Sequence, residues 1–292
     1  MQNVTPVAIA ALMLELVPAA VFGFAAERAA RTILRWPVAV RLALPAVFVI
    51  PYAMVSRAHG IFQWQWFSLY LMLPVATAWL LMRAAAADSE QRGNWRDAFI
   101  LLVLGLAVDL RWFDSAWPPG LRALNELLLV DVGLYGFLAI RQLRGTGFDF
   151  HLKWSDLRTG LRELFFFAPI DLGLGLALGF IHPHRNVPGI AAAFLRWIAI
   201  FFFTAVPEEL FFRAWMQNLL ERRIGRRAAL IIASALFGLS HFNKRSAHFN
   251  WRYVLLATIA GMFYGRAWRE HRRVPASAIT HASVDWIWGL WF

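Results

Sequence analysis

Apolar residues along the chain gather into runs of helical length divided by short polar connections. The runs fall at about residues 7–25, 37–55, 62–82, 97–113, 121–141, 164–181, 188–206, 228–242, 253–268 and 275–292. A helix needs roughly 20 residues to cross the hydrocarbon core of a bilayer, and several runs are shorter than that. The pattern predicts an all-α fold, a polytopic transmembrane bundle of about eight to ten helices. Pro37, Pro188 and Pro275 stand at or near the starts of runs, where a first helical turn accepts proline, whereas Pro18, Pro45, Pro74 and Pro207 fall inside runs and predict kinks. No internal repeat or low-complexity linker interrupts the series. Residues 148–163 carry Trp154, Leu157 and Leu161 at helical spacing, continued by Leu164, which predicts a short amphipathic helix on the inner membrane surface. That stretch divides the chain into an N-terminal transmembrane group, residues 1–150, to which no function attaches, and a C-terminal group, residues 151–292, that holds nearly all the unusual polar residues.

Composition sharpens this picture. The chain is 60% hydrophobic with a mean hydropathy of +0.52, too apolar for a soluble domain of 292 residues. Residues Met1 to Pro6 lack the basic stretch of a cleavable signal, so the first run is expected to remain as a helix. The net charge of +11 would suggest nucleic acid in a soluble protein. Here the basic residues, all arginine except Lys153 and Lys244, cluster in the connections. Alternate connections are heavily basic (Arg28 to Arg35, Arg83 to Arg96, Arg144 to Arg162, Arg222 to Arg227, Arg266 to Arg273). The intervening ones carry only Arg57, Arg111, Arg185 and the Lys244, Arg245, Arg252 group. The asymmetry places the first set in the cytoplasm and the N-terminus outside, with anionic lipid headgroups rather than nucleic acid as the partner of the arginines. Absence of cysteine removes disulfides, thiol catalysis and thiolate metal sites. No glycine-rich phosphate loop is present, and no cofactor is expected.

Three polar groups inside the C-terminal runs carry the candidate chemistry. Glu208 and Glu209 are adjacent in an apolar helix, where unpaired carboxylates cost on the order of several kcal/mol. Glu209 and Arg213, four residues apart, share a helix face and can pair; Glu208 points about 100° away without that partner. A carboxylate so placed has a high proton affinity, as a general base or acid requires. The second group is Phe237 and His241 at the end of the next run. From Glu208 to the basic turn and from that turn to His241 the two legs are about equally long, near 20 Å at ~1.5 Å per residue, so the residues return to one level of an antiparallel hairpin. The third is His281 with Asp285, again one helical turn apart. Glutamate and histidine together can polarise a water, and a second histidine or polar group can stabilise an oxyanion, which is a hydrolase pattern. A zinc site is the rival, but no H-E-x-x-H segment exists. A G-x-S-x-G nucleophile turn and aspartyl-protease pairs are also missing. Each group also has a plain reading as a buried polar network, as do Glu15, Glu126, Asp131, Asp171 and Arg196, of which Asp171 and Arg196 are expected to pair.

In this order and spacing, Glu208, Glu209 and Arg213, then Phe237 and His241, then His281 and Asp285, the chain resembles the CAAX prenyl endopeptidase and bacteriocin-processing family, also called CPBP or Abi. The resemblance covers roughly residues 160–292. It implies a glutamic-type intramembrane peptidase without a catalytic metal, in a multi-pass protein of the plasma membrane, the inner membrane of a bacterium. Glu208 would activate water with help from His241, Glu209 and Arg213 would hold the helices in register, and His281 with the residue four later would form the oxyanion site. Asparagine is common at that last position in the prenyl-processing members. Asp285 therefore either donates a hydrogen bond in protonated form or orients His281. The implied partner is a peptide or protein substrate at the membrane. Two other functions fit the same residues: a non-catalytic scaffold or immunity factor, and a transporter using the carboxylates as a proton relay.

Overall fold

A computed structural model describes residues 5–184, 188–246 and 248–292. Arg185, assigned above to an external connection, and Met1 to Val4, part of the segment read for a signal, lie outside the described residues. The described residues form an all-helical fold, and among them the ten apolar runs correspond one for one to ten helices. These are α1 (Pro6–Leu34), α2 (Val38–Ala58), α3 (Trp64–Ala87), α4 (Trp95–Asp109), α5 (Ala123–Ile140), α6 (Trp154–Ala177), α7 (Ile190–Ile224), α8 (Arg226–Leu239), α9 (Trp251–His271) and α10 (Val274–Trp291). Five of them, α1, α2, α3, α5 and α7, are both long and apolar enough to cross a membrane. The protein is a multi-pass integral membrane protein. The chain divides into two compact units, one ending at Arg144 and the other starting at Gly145.

Local chemistry explains the helix ends and irregularities. Thr5 caps α1 by accepting the Ala8 N–H at 3.1 Å, with Pro6 in the first turn. Asn94 and Asp97 form a reciprocal capping box at the start of α4. Pro45 falls in a 3₁₀ turn within α2. Pro207 is accommodated without ending its helix, because wider π turns at Phe201–Ala205 and Leu210–Gln217 flank it. The surface helix expected over 148–163 is not a separate element. From Trp154 onward it runs without a break into the following apolar run as α6, since nothing between Leu157 and Leu164 stops a helix.

In the first unit, Arg141 at the end of α5 is buried and holds Asp97 (2.9 Å) and Asp88 (2.6 Å). Tyr70 donates to Asn125 Oδ1 at 2.6 Å and accepts from Trp117 Nε1 at 2.7 Å, so α3 and α5 share a satisfied polar node.

The second unit is organised by two tight connections. Gly225, at φ +82°, is the single residue between α7 and α8, a backbone state that glycine adopts without strain. The α9–α10 connection is clamped by arginines. Arg272 donates to Asn218 Oδ1 (3.0 Å) and Glu221 Oε2 (2.6 Å), and Arg273 reaches Asp156 (2.6 Å), Asp149 (2.8 Å) and the His151 carbonyl (2.7 Å). Nine residues separate Asn218 from Glu209 and nine separate Arg272 from His281. Two helices tied at one level and rising equally therefore bring Glu209 and His281 to the same depth, about 14 Å beyond the clamp. Asp171 and Arg196 do not pair as expected. Asp171 accepts from the Trp288 indole, and Arg196 donates to the Gly289 carbonyl at 2.6 Å, because α10 passes each of them first. Two tryptophans of the aromatic C-terminal stretch thus hydrogen-bond into the bundle, Trp286 to the Ala193 carbonyl and Trp288 to Asp171.

The clamp responds to acid. Burial alone would raise Asp149, but hydrogen bonds from Arg273 and His151 outweigh it and bring its carboxyl down to about 2. Its stabilising contribution is complete above the free carboxylate value of about 3.9 and is lost as pH falls through about 2. Thermal melts across that window should show the wild type losing stability more steeply than Asp149→Asn; parallel curves would show that the clamp does not depend on this carboxylate.

Close packing of α8 on α9 depends on Gly238, where a Cβ would lie 1.9 Å from Thr258 Oγ1 and 2.5 Å from the Val254 carbonyl. The backbone carbonyl cannot move aside cheaply, so Gly238→Ala is expected to cost roughly 1–3 kcal/mol. A melting temperature equal to the wild type would refute that packing.

Candidate active site

The site is built at one depth by α7, α8, α9 and α10. Glu209 and Arg213 are fully buried on α7 and pair at 3.0 Å. The second Glu209 oxygen meets His281 Nδ1 at 2.9 Å, and the first also accepts from the Ser277 hydroxyl, which additionally reaches the Tyr264 carbonyl. Glu209 is therefore saturated by an arginine, an imidazole and a hydroxyl, and none of its oxygens is available to a substrate. Arg213 also lies over the Phe237 ring, 5.1 Å from its centroid.

Glu208 differs from its neighbour in access. Its side chain is 25% exposed while that of Glu209 is 0%. Its Oε2 lies 3.9 Å from His281 Nε2 and has no hydrogen-bond partner, and its Oε1 lies 3.8 Å from Lys244 Nζ. The residue expected to lack a partner thus has two loose ones. Asp285 Oδ2 stands 3.6 Å from the same His281 Nε2. His281 is consequently fixed through Nδ1 by a buried carboxylate while Nε2 faces the two more exposed ones. Its ring is stacked on Tyr264 at 4.6 Å, which sets the imidazole plane.

His241 follows the last turn of α8. Its Nδ1 meets the Phe237 carbonyl at 2.8 Å, an assignment that makes Nδ1 the protonated nitrogen and leaves Nε2 as an acceptor. Phe237 carries both imidazoles, with ring centroids 4.9 Å from His241 and 5.6 Å from His281. All six residues singled out in the sequence, Glu208, Glu209, Arg213, His241, His281 and Asp285, therefore belong to one connected cluster. Tyr264, Ser277 and Lys244 complete it and were not anticipated. Ser277 had a signal, being one helical turn before His281 on the same face. Tyr264 and Lys244 had none, because they arrive from other parts of the fold. Among the described residues, no three His, Cys, Asp or Glu side chains are placed to share a metal ion.

Chemically, the cluster joins an accessible carboxylate, two imidazoles and a fully neutralised buried ion pair within a helical membrane bundle. These features define a polytopic membrane protein with a carboxylate–imidazole cluster buried among four helices of its second unit. Residues 190–287, which span all six candidates, match the family model described as type II CAAX prenyl endopeptidase Rce1-like. The match supports a membrane endopeptidase, acting on peptides at the membrane. It begins at α7, so α6, included in the resemblance drawn above, lies outside it. No curated protein and no solved structure matches the chain.

Proposed function

We propose that the protein is a glutamic-type intramembrane endopeptidase in which Glu208 activates the attacking water. The observation that carries this reading is the division of labour between adjacent glutamates: Glu209 is saturated and buried, whereas Glu208 is reachable and only loosely paired. Water held by Glu208 loses a proton to the carboxylate as it attacks the peptide carbonyl carbon. His241 orients the same water by accepting a hydrogen bond at Nε2, and the protonated Glu208 passes its proton to the leaving amine as the C–N bond breaks. The oxyanion that develops is stabilised by His281 from Nε2, whose geometry Glu209 and Tyr264 hold. Asp285, at ion-pair distance from that nitrogen, orients the imidazole, the second of the two roles open to it. The substrate of this reading is a peptide or protein segment presented at the membrane surface, and its proposed location is the plasma membrane, the inner membrane of a bacterium.

The test is cleavage by the protein reconstituted in liposomes, with a panel of internally quenched peptides both prenylated and membrane-anchored. Cleavage that persists in chelator supports the reading. A panel left intact by protein whose fold is verified, or a rate abolished by chelator and restored by zinc, would sink it.

A further inference from the structure

The first unit contains a second buried acidic pair that the peptidase reading does not use. Glu15 on α1 and Asp131 on α5 are each 3% exposed and line one cavity of about 100 Å³ with Leu14, Val47, Phe48 and Ile50. Glu15 stands nine residues into α1 and Asp131 eight into α5, which puts both about 12–14 Å from their helix starts. Such groups were expected to be satisfied by hydrogen bonds or charge pairs between helices. Instead, both carboxyl oxygens of Glu15 are buried without any hydrogen-bond partner. Among the described residues neither acid has a basic partner within ion-pair distance; the buried arginine of this unit, Arg141, is committed to Asp88 and Asp97.

Protonation does not solve the problem. A neutral carboxylic acid still has an O–H that needs an acceptor and a carbonyl that needs a donor, and a buried unsatisfied polar atom costs about 1–3 kcal/mol. Two acids facing one cavity call for a group rich in N–H donors and positive charge. The cavity volume admits an ammonium group together with the first methylenes of its chain. Its rim is lipophilic and turned outward: Leu14 is 45%, Val47 48% and Ile50 45% exposed, on helices apolar enough to face lipid. An occupant of this shape has a cationic head inside and a hydrocarbon body left in the bilayer. We propose that the Glu15–Asp131 cavity binds the primary ammonium group of a membrane-dissolved amphiphile, entering sideways from the lipid. Two of its N–H bonds serve the Glu15 oxygens and the third points to Asp131. The binding is separate from peptide cleavage and does not depend on that reading.

The experiment is equilibrium binding of tritiated dodecylamine to the full chain in phosphatidylcholine nanodiscs, whose lipid has no N–H donor. Saturable binding is expected, lost at least tenfold in Glu15→Gln and weakened in Asp131→Asn. Dodecanol, with the same chain and no charge, should not compete. Val47→Trp, at the outward rim, keeps both acids and should block entry, so it decides the matter where the acid variants fail to fold. Absence of saturable binding to the wild type, equal affinity in all folded variants, or competition by dodecanol as strong as by dodecylamine overturns the proposal.

Discussion

Glu208→Gln is expected to lower the rate of peptide cleavage by roughly 10²–10⁴-fold while leaving the fold in place. That loss corresponds to about 3–5 kcal/mol of barrier. Glutamine keeps the shape and the polar contacts of glutamate but cannot accept the proton of an attacking water. The fold survives because Glu208 belongs to no saturated network: its contacts are a lysine at 3.8 Å and an imidazole at 3.9 Å, neither at hydrogen-bond distance. Surface-type pairs of this looseness contribute about 0–1 kcal/mol. The neighbouring substitution Glu209→Gln should behave in the opposite sense, with a clear fall in melting temperature, because it breaks a buried pair and releases His281. Rates and melting temperatures of both variants, measured on the same reconstituted preparations, separate the two roles. Cleavage by Glu208→Gln at wild-type rate would remove Glu208 from the mechanism and leave another group of the site to activate the water.

The parts of this site that the sequence disclosed are those encoded by spacing on one helix. Glu209 with Arg213 and His281 with Asp285 are four residues apart, so a helix alone makes each pair neighbours, whatever packs around it. The level of His241 followed from equal arm lengths of a hairpin, and held even though the turn is the single residue Gly225 rather than a longer basic connection, since both arms lengthened together. Contacts made between helices left no such trace. Tyr264 meets His281 because α9 packs against α10, a consequence of three-dimensional fit rather than of any local pattern. The same limit explains Asp171 and Arg196, paired on paper by their opposite charges and claimed in the fold by Trp288 and the Gly289 carbonyl. At the level of whole elements, hydropathy located every helix but not every end. Polar residues past the edge of an apolar run remain helical, as in α1 through Arg31 and in the first turns of α6.

Removing the guanidinium of Arg213 should be the most damaging single change to stability within the second unit. Arg213→Met leaves the Glu209 carboxylate at 0% exposure with an imidazole and a hydroxyl but no permanent cation. Loss of one partner from a buried ion pair costs about 3–5 kcal/mol, because the remaining charge has been taken out of water without compensation. The change also removes the cation from the face of Phe237, the ring that packs against both histidines. The double variant Glu209→Gln with Arg213→Met distinguishes charge imbalance from lost packing. If imbalance dominates, the double variant melts above Arg213→Met alone, since no unpaired carboxylate remains. If packing dominates, the two losses add and the double variant melts lowest. The first outcome is expected. Its cleavage rate should nonetheless stay far below wild type, because glutamine at position 209 no longer supplies the charge that holds His281 facing Glu208. Recovery of stability without recovery of activity would assign the buried pair to holding His281 in place, whereas full recovery of both would mean that the imidazole is positioned by its stack on Tyr264 alone.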